Sequence, residues 1–481
     1  MKNYFLLICL FLYTYIQAQP SVNDSIINNP LLKHSQFGYY AEICETGKPV
    51  LDINSESSLA PASGLKTVTT SAALNLLGDD FTFKTQFCYS GKLAADGTLD
   101  GNIYIKGGGD PTLGSDLVKS SPNLDSLSRI FAAACKTAGI KKLNGSIIAD
   151  ETLFQGNSTP DYYPYIDMGN YYGAGTSSIN LNDNLYYAYF KPGNEGGEAL
   201  LLRTEPEMHF IGFNNNMLTG KPGSGDNGYI YSSPYSNTAV IRGTIPAGVR
   251  EFSIKGAITD PAMFAADYFT TVLRSAGIEV SLKPSKINTA PDYTLMHNFL
   301  TVTSPKLKDI VYIINKRSFN LYAETVLRDI SAYKNGDGST ESGIDIIYNF
   351  LDSIKISREG VHLYDGSGLS RADCVTPQMM AKLLSFNTKQ KMFSAFYNSL
   401  GIAGDTSDIS FYTRYGLGTP IQQNARIKSG FINLVRSHSG YLKAKSGRLI
   451  SYSLITNNYN TSLKNIDELH KQIMIMLYNN N

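Results

Sequence analysis

The chain has no tryptophan, and it carries only six histidines and five cysteines among 481 residues. The histidines form no H-E-x-x-H run and no close pair, so no zinc site is expected. Cys9 falls in the leading apolar run. Cys44, Cys88, Cys135 and Cys374 are widely spaced without a C-x-x-C, which reads as buried free thiols with a disulfide left open. Charge of one sign is also missing. Lys and Arg number 42 against 41 Asp and Glu, so there is no basic field of the kind that nucleic acid or an anionic membrane would select. Only one long apolar run occurs, Tyr4 to Ile16, and it falls short of the ~20 residues that span a bilayer. No transmembrane span is expected once that run is removed.

That run is informative in its own right. Lys2 precedes it and Ile16-Gln17-Ala18 follows it, the order of a secretory signal, so residues 1–18 read as a signal peptide and the mature chain as starting near Gln19. Lipid attachment at Cys9 is set aside, because Leu7 and Ile8 before it are bulky and the apolar run continues past it. A chain of this length exceeds a single core and implies two or three domains.

From Gln36 to Cys44 and from Pro49 to Ile53, two strands rich in Tyr, Val and Ile flank a turn. Leu65, Val68, Ala72 and Leu76 then recur at helical spacing, and Gly78-Asp79-Asp80 ends the run. From Phe81 to about Thr289 the texture changes to short β-like segments broken by Gly, Asn and Pro, with helices at Asn123 to Gly139 and Asp260 to Gly277. Two more helical patterns follow, Lys306 to Asn315 and Arg317 to Tyr333, and a third spans Gly343 to Lys355. The C-terminal part reads as three strands, Ala425 to Ile432, Val435 to Lys443 and Leu449 to Asn457, and then a helix through Leu463, Ile466, Leu469, Ile473 and Leu477.

Within this frame, Ser63 and Lys66 are three residues apart where a helix opens. This puts an amine one turn from a hydroxyl whose proton it can take, at a helix end that favours a developing oxyanion. Ser331 and Lys334 match the same spacing, but they fall at the end of a helix before Asn335-Gly336, where serine and lysine serve ordinary capping. Two Lys-Ser-Gly triplets occur. The one at 445–447 lies in a strand connection, whereas the one at 428–430 lies inside a strand, where glycine is out of place unless something approaches its backbone closely. Gly107-Gly108-Gly109-Asp110-Pro111-Thr112 lacks the G-K-[ST] of a phosphate loop and reads as a tight turn. No cofactor is expected. Tyr162, Tyr163, Tyr165, Tyr171 and Tyr172 around Asp167 fit either a carbohydrate or peptide platform or the edge of a β core.

Ser63 with Lys66, Ser318 with Asn320, and Lys428-Ser429-Gly430 stand in the order of the serine penicillin-recognising enzymes. With Gly107 to Leu113, Asn315 to Glu324, Asp365-Gly366-Ser367-Gly368-Leu369-Ser370-Arg371 and Arg426 to Gly430, the chain resembles the D-alanyl-D-alanine carboxypeptidase/endopeptidase family typified by penicillin-binding protein 4, over nearly all of its mature length. The resemblance implies an α/β (α+β) fold: a transpeptidase-like domain at 19–84 and 290–481, with a five-stranded antiparallel sheet flanked by helices, interrupted at 85–289 by two smaller, mostly β domains. It implies a periplasmic hydrolase acting on peptidoglycan stem peptides and inhibited by β-lactams. Ser63 would be the nucleophile, Lys66 the base, with its pKa lowered by Lys428 and by burial, and Ser318 the proton relay. Asn320 and Lys428 would complete the catalytic set. The backbone N–H groups of Ser63 and Phe431 would form the oxyanion hole. Ser429 and Gly430 would bind the substrate's terminal carboxylate region, and Asp167 and Arg371 the side-chain amine of the third stem residue. Two sequence departures are Ser429 in place of a commoner threonine and Asn433 in place of a longer amide. A β-lactamase and a non-catalytic wall-binding protein are the competing readings; the first lacks an evident water-holding glutamate motif after Asn320, and the second leaves a full catalytic set unexplained.

Overall fold

The computed structural model describes residues 22–481, and the signal segment read at 1–18 lies outside them. The element that positions the chemistry is a mixed α/β unit made from both ends of the described chain. Strands β1 (Gln36–Ile43) and β2 (Lys48–Ile53) form a hairpin, and a 3-10 turn at Ala62–Leu65 leads into α1 (Lys66–Leu77). After the insertion come α2 (Leu307–Arg317), α3 (Asn320–Asn335) and α4 (Pro377–Asn387). A two-residue edge strand, β3 (Gly401–Ile402), precedes β4 (Ala425–Ile432), β5 (Val435–Lys443) and β6 (Leu449–Asn457), and α5 (Leu463–Asn480) closes the chain.

The sheet runs β3-β4-β5-β6-β1-β2 and is antiparallel throughout. It therefore has the five long strands that the resemblance implies and one two-residue edge strand more. One face packs against α1 to α4 around Val68, Tyr441 and Ile455, and the other is covered by α5 through Ile473 and Leu477.

The helix α1 is buried from Lys66 to Leu74, so its threonines need partners inside the protein. Thr67 donates to the Gly64 carbonyl at 2.9 Å, Thr70 to that of Lys66 at 2.6 Å, and Thr69 to that of Gly366 at 2.7 Å. Its start lies one turn later than the sequence suggests: Ser63 sits in the 3-10 turn, not on the α-helix, and Ala62 before it has a left-handed φ of 45°.

Between α1 and α2 the chain builds four further sheets around a core of their own. Asn123 and Asp260 cap the two long helices there, at Leu124–Thr137 and Pro261–Ser275, each accepting a backbone N–H with its side chain. The strand His297–Thr303 pairs with Lys84–Tyr89, so this sheet extends past residue 289, into the segment that the sequence reading assigns to the transpeptidase-like part. Strand alternation carries no label for the partner, which explains the difference. No helix among the described residues is long and apolar enough to cross a membrane.

Candidate active site

Lys66 organises the site. Fully buried, its ammonium donates to Ser63 Oγ at 3.0 Å, to Asn320 Oδ1 at 2.6 Å and to the Ser367 carbonyl at 2.6 Å. Lys428, also buried, donates to Ser318 Oγ at 2.9 Å and to the Ser429 carbonyl at 2.8 Å. Ser318 ends α2 in a left-handed conformation, with φ 55° and ψ 40°, and this break turns its hydroxyl toward Lys428 just before Asn320 opens α3. Ser63, Ser318, Asn320, Asp167, Arg371 and Phe431 all line one cleft of about 860 Å³.

Glycine at 430 has a steric cause. A Cβ there would come within 2.1 Å of the Pro61 carbonyl and 2.5 Å of Ser437 Oγ. Ser437 in turn donates to that carbonyl at 2.5 Å. The backbone that approaches β4 is thus the chain entering the Ser63 turn, and the absent side chain lets the nucleophile sit against the strand. Gly368, at φ 77°, plays the same part from the other side, where a Cβ would lie 1.9 Å from the Ala62 carbonyl.

Electrostatically the site rests on buried carboxyl groups that the sequence reading passed over. Asp365 accepts the N–H groups of Ser367 at 3.0 Å, Gly368 at 2.6 Å and Ser370 at 2.8 Å, and so folds the glycine-rich loop under Lys66. Glu324 accepts from Gly366 N at 2.9 Å and from the Tyr163 hydroxyl at 2.8 Å. Burial pulls the Lys66 pKa down to about 7, and the charges of Asp365, Glu324 and Asp373 oppose the fall. Burial likewise raises Glu324 to about 7, with the neighbouring Asp365 adding to it. Lys428 is pulled well below its ordinary value, by burial first and then by the charge of Lys66. This corrects one expectation: burial is what depresses Lys66, and the repulsion between the two lysines bears on Lys428.

The outlying candidates divide. Asp167 accepts from the Tyr172 hydroxyl at 3.1 Å, and partial burial raises its pKa. Arg371 donates to the Asn433 carbonyl at 2.6 Å, and Asn433 also lines the cleft. Ser429 is outside the cleft lining; it lies opposite His438, a residue buried against α5, because strand alternation turns the neighbour of Lys428 the other way. Ser331 is buried in α3 and Lys334 is exposed at its end, so the second serine-lysine match has no cleft. Lys445 is exposed in the β5–β6 connection. Arg317, beside Ser318 at the cleft, lies inside the 315–324 motif without a role read for it, whereas Glu324 lies one helical turn beyond Asn320 and was reachable by that spacing. Cys44, Cys88, Cys135 and Cys374, the cysteines among the described residues, are free. The described residues contain no His/Cys/Asp/Glu group suited to hold a metal ion.

The choice between the two triplets has a direct test. Lys428→Ala is expected to slow acylation by benzylpenicillin by about 10²–10³-fold, the scale for losing a buried charged donor, and Lys445→Ala to leave it within about twofold. Stopped-flow or gel-based acylation rates decide it, and the opposite ranking would refute the strand assignment.

A serine held by a buried lysine, with a second serine-lysine pair across the cleft on an α/β frame, defines a serine penicillin-recognising enzyme. Residues 19–479 match the D-Ala-D-Ala carboxypeptidase 3 (S13) family, and the chain belongs to it, among the peptidases. It is 26% identical over 444 residues to the D-alanyl-D-alanine carboxypeptidase of Actinomadura sp. (strain R39), a match covering 91% of this chain and 80% of that one. The carboxypeptidase DacB of Haemophilus influenzae is 24% identical over 452 residues, 92% of this chain and 89% of that protein. The crystal structure of penicillin binding protein 4 from Haemophilus influenzae superposes with a TM-score of 0.80 at 22% identity, covering 93% of this chain and 98% of that one, and the same protein has been solved in complex with a β-lactam.

Proposed function

We propose that the chain is a periplasmic serine-type D-alanyl-D-alanine carboxypeptidase and endopeptidase acting on peptidoglycan stem peptides through an acyl-enzyme on Ser63. The observation that carries this is the pair of linked contacts, Lys66 to Ser63 at 3.0 Å and Lys428 to Ser318 at 2.9 Å, at one cleft. Ser63 Oγ attacks the carbonyl of the penultimate D-alanine and passes its proton to Lys66 Nζ. The backbone N–H groups of Ser63 and Phe431 receive the oxyanion, each such donor contributing on the order of 3 kcal/mol to the barrier. As the C–N bond breaks, the leaving amine takes a proton through Ser318. Water then cleaves the ester and returns the proton to Ser63. Asn320 fixes Lys66 and the substrate amide. Lys428 with Ser318 holds the terminal carboxylate, whose charge restores that of Lys428; Ser429, outside the cleft lining, is the weakest member of the set.

Asp167 and Arg371, both on the cleft, take the side-chain amine and adjoining groups of the third stem residue. Carboxypeptidase and endopeptidase activities share this chemistry and differ in the leaving amine, so fragments released from cross-linked peptidoglycan report both. The leading segment read at residues 1–18 supports the periplasmic address. A β-lactamase needs a residue that holds the deacylating water. The glutamate that follows Asn320 on α3, Glu324, is fully buried with its oxygens on Tyr163 and Gly366, away from the cleft lining. After benzylpenicillin treatment, mass spectrometry is therefore expected to find a long-lived adduct on Ser63. Rapid turnover of the drug without an adduct would overturn the proposal.

A further inference from the structure

A second cavity, of about 420 Å³, adjoins the cleft: Tyr171, Tyr172 and Tyr229 line both. It is also lined by Tyr187 and Lys255. The Lys255 ammonium lies 5.3 Å from the ring centres of both Tyr171 and Tyr187, and has no carboxylate within ion-pair distance among the described residues. Two acids are nearby. Asp226 on the cavity wall accepts the Gly228 N–H at 2.9 Å, and Asp183 accepts the Tyr322 hydroxyl at 2.7 Å. The hydroxyls of Tyr171, Tyr187 and Tyr229 make no hydrogen bond to the described residues, and the first and last of these side chains are 38% and 40% exposed. An exposed ammonium without an ion-pair partner, flanked by the rings of Tyr171 and Tyr187 in a cavity that also holds the Tyr229 hydroxyl, can receive an anion, with the ring faces supporting the aliphatic part that bears it.

The position of this cavity says which anion. On the reading of Asp167 and Arg371 given above, on which this inference rests, the third stem residue occupies the cleft wall beside Tyr172. Its N-terminal neighbour then passes the shared tyrosines. In a stem peptide that neighbour is a glutamyl residue linked through its side chain, which leaves its α-carboxylate free. We propose that the cavity of Tyr171, Tyr187, Tyr229 and Lys255 is a subsite for the free α-carboxylate of the γ-linked glutamyl residue, and that Lys255 is its specificity-determining residue. The enzyme therefore distinguishes stems whose glutamate is free from stems in which it is amidated.

Steady-state kinetics on three synthetic substrates test this: a pentapeptide stem with γ-linked D-glutamate, the same stem with γ-linked D-isoglutamine, and an Nα-acetylated tripeptide beginning at the third residue. The wild type is expected to favour the glutamate stem over the isoglutamine stem by about tenfold, carried in KM with kcat unchanged. Lys255→Gln should erase that ratio and leave the tripeptide untouched, and Tyr187→Phe should reduce it in part. Equal KM for the two stems in the wild type, or a ratio that survives Lys255→Gln, overturns the subsite. Failure of the wild type to cleave even the tripeptide would instead overturn the reading of the main cleft.

Discussion

Ser63→Ala is expected to reduce release of D-alanine from a pentapeptide stem by about 10⁴-fold or more, with the protein still folded. The substitution deletes the only group at the cleft that receives a hydrogen bond from Lys66 and can also form an ester with the substrate. What remains is the binding and oxyanion contribution, which in enzymes of this logic leaves a residual acceleration of about 10³–10⁴ over water. Folding should hardly notice. Ser63 is half-buried in a 3-10 turn, and Lys66 keeps its shorter contacts to Asn320 and the Ser367 carbonyl at 2.6 Å each. One lost neutral partner costs about 1 kcal/mol, a shift of a few degrees at most in the unfolding midpoint of a chain this large. D-alanine release, the mass of the penicillin adduct and a thermal melt read the three consequences separately. Equal release by wild type and variant would remove Ser63 from the mechanism and reopen the reading of a wall-binding protein without catalysis.

The distribution of what could be read from sequence follows from how far apart the cooperating residues lie. Ser63 and Lys66 are local to one turn, and the strands β4, β5 and β6 were legible with their boundaries because their alternation and turns are local as well. The oddity of Gly430 inside a strand was visible, but its cause, the Pro61 carbonyl, is a tertiary approach that no local pattern encodes. Ser437 illustrates the same limit, since its bond to Pro61 spans 376 positions. Asp365 does local turn chemistry, since three backbone N–H groups close on it. Its second effect, holding a carboxylate beneath Lys66, appears only when α3 and the loop are brought together. Ser429, which is not among the residues lining the cleft, illustrates the opposite case. The motif carried it along with Lys428, whereas a strand turns successive side chains to opposite faces.

This buried charge arrangement makes the pH dependence the sharper test of Lys66. To take the Ser63 proton Lys66 must be neutral, and a pKa of about 7 makes it so for roughly half of the molecules at neutral pH, against about one in a few thousand for an ordinary lysine. Acylation is therefore expected to rise tenfold per pH unit below about 7 and to level off above it. Lys66→Met should lose about 10³-fold or more and flatten the profile. Glu324 also titrates near 7, so the same limb could be mistaken for its own. Glu324→Gln separates them: its carboxylate raises the Lys66 pKa, so removing it should keep the limb and move it to lower pH, whereas a limb belonging to Glu324 would vanish. Stability supplies a second reading with a defined sign. The unfolded chain holds the Lys66 proton up to about 10.5 and the folded one only to about 7, so between those values the unfolded state binds more protons. Over that window the wild type should gain stability relative to Lys66→Met as pH rises, by at most about 1.4 kcal/mol per unit, while below 7 the difference should stay constant. Chemical denaturation of both proteins at pH 6, 7, 8 and 9 measures it. A difference that stays level from 7 to 9 would mean that Lys66 keeps its proton in the folded protein and cannot serve as the base.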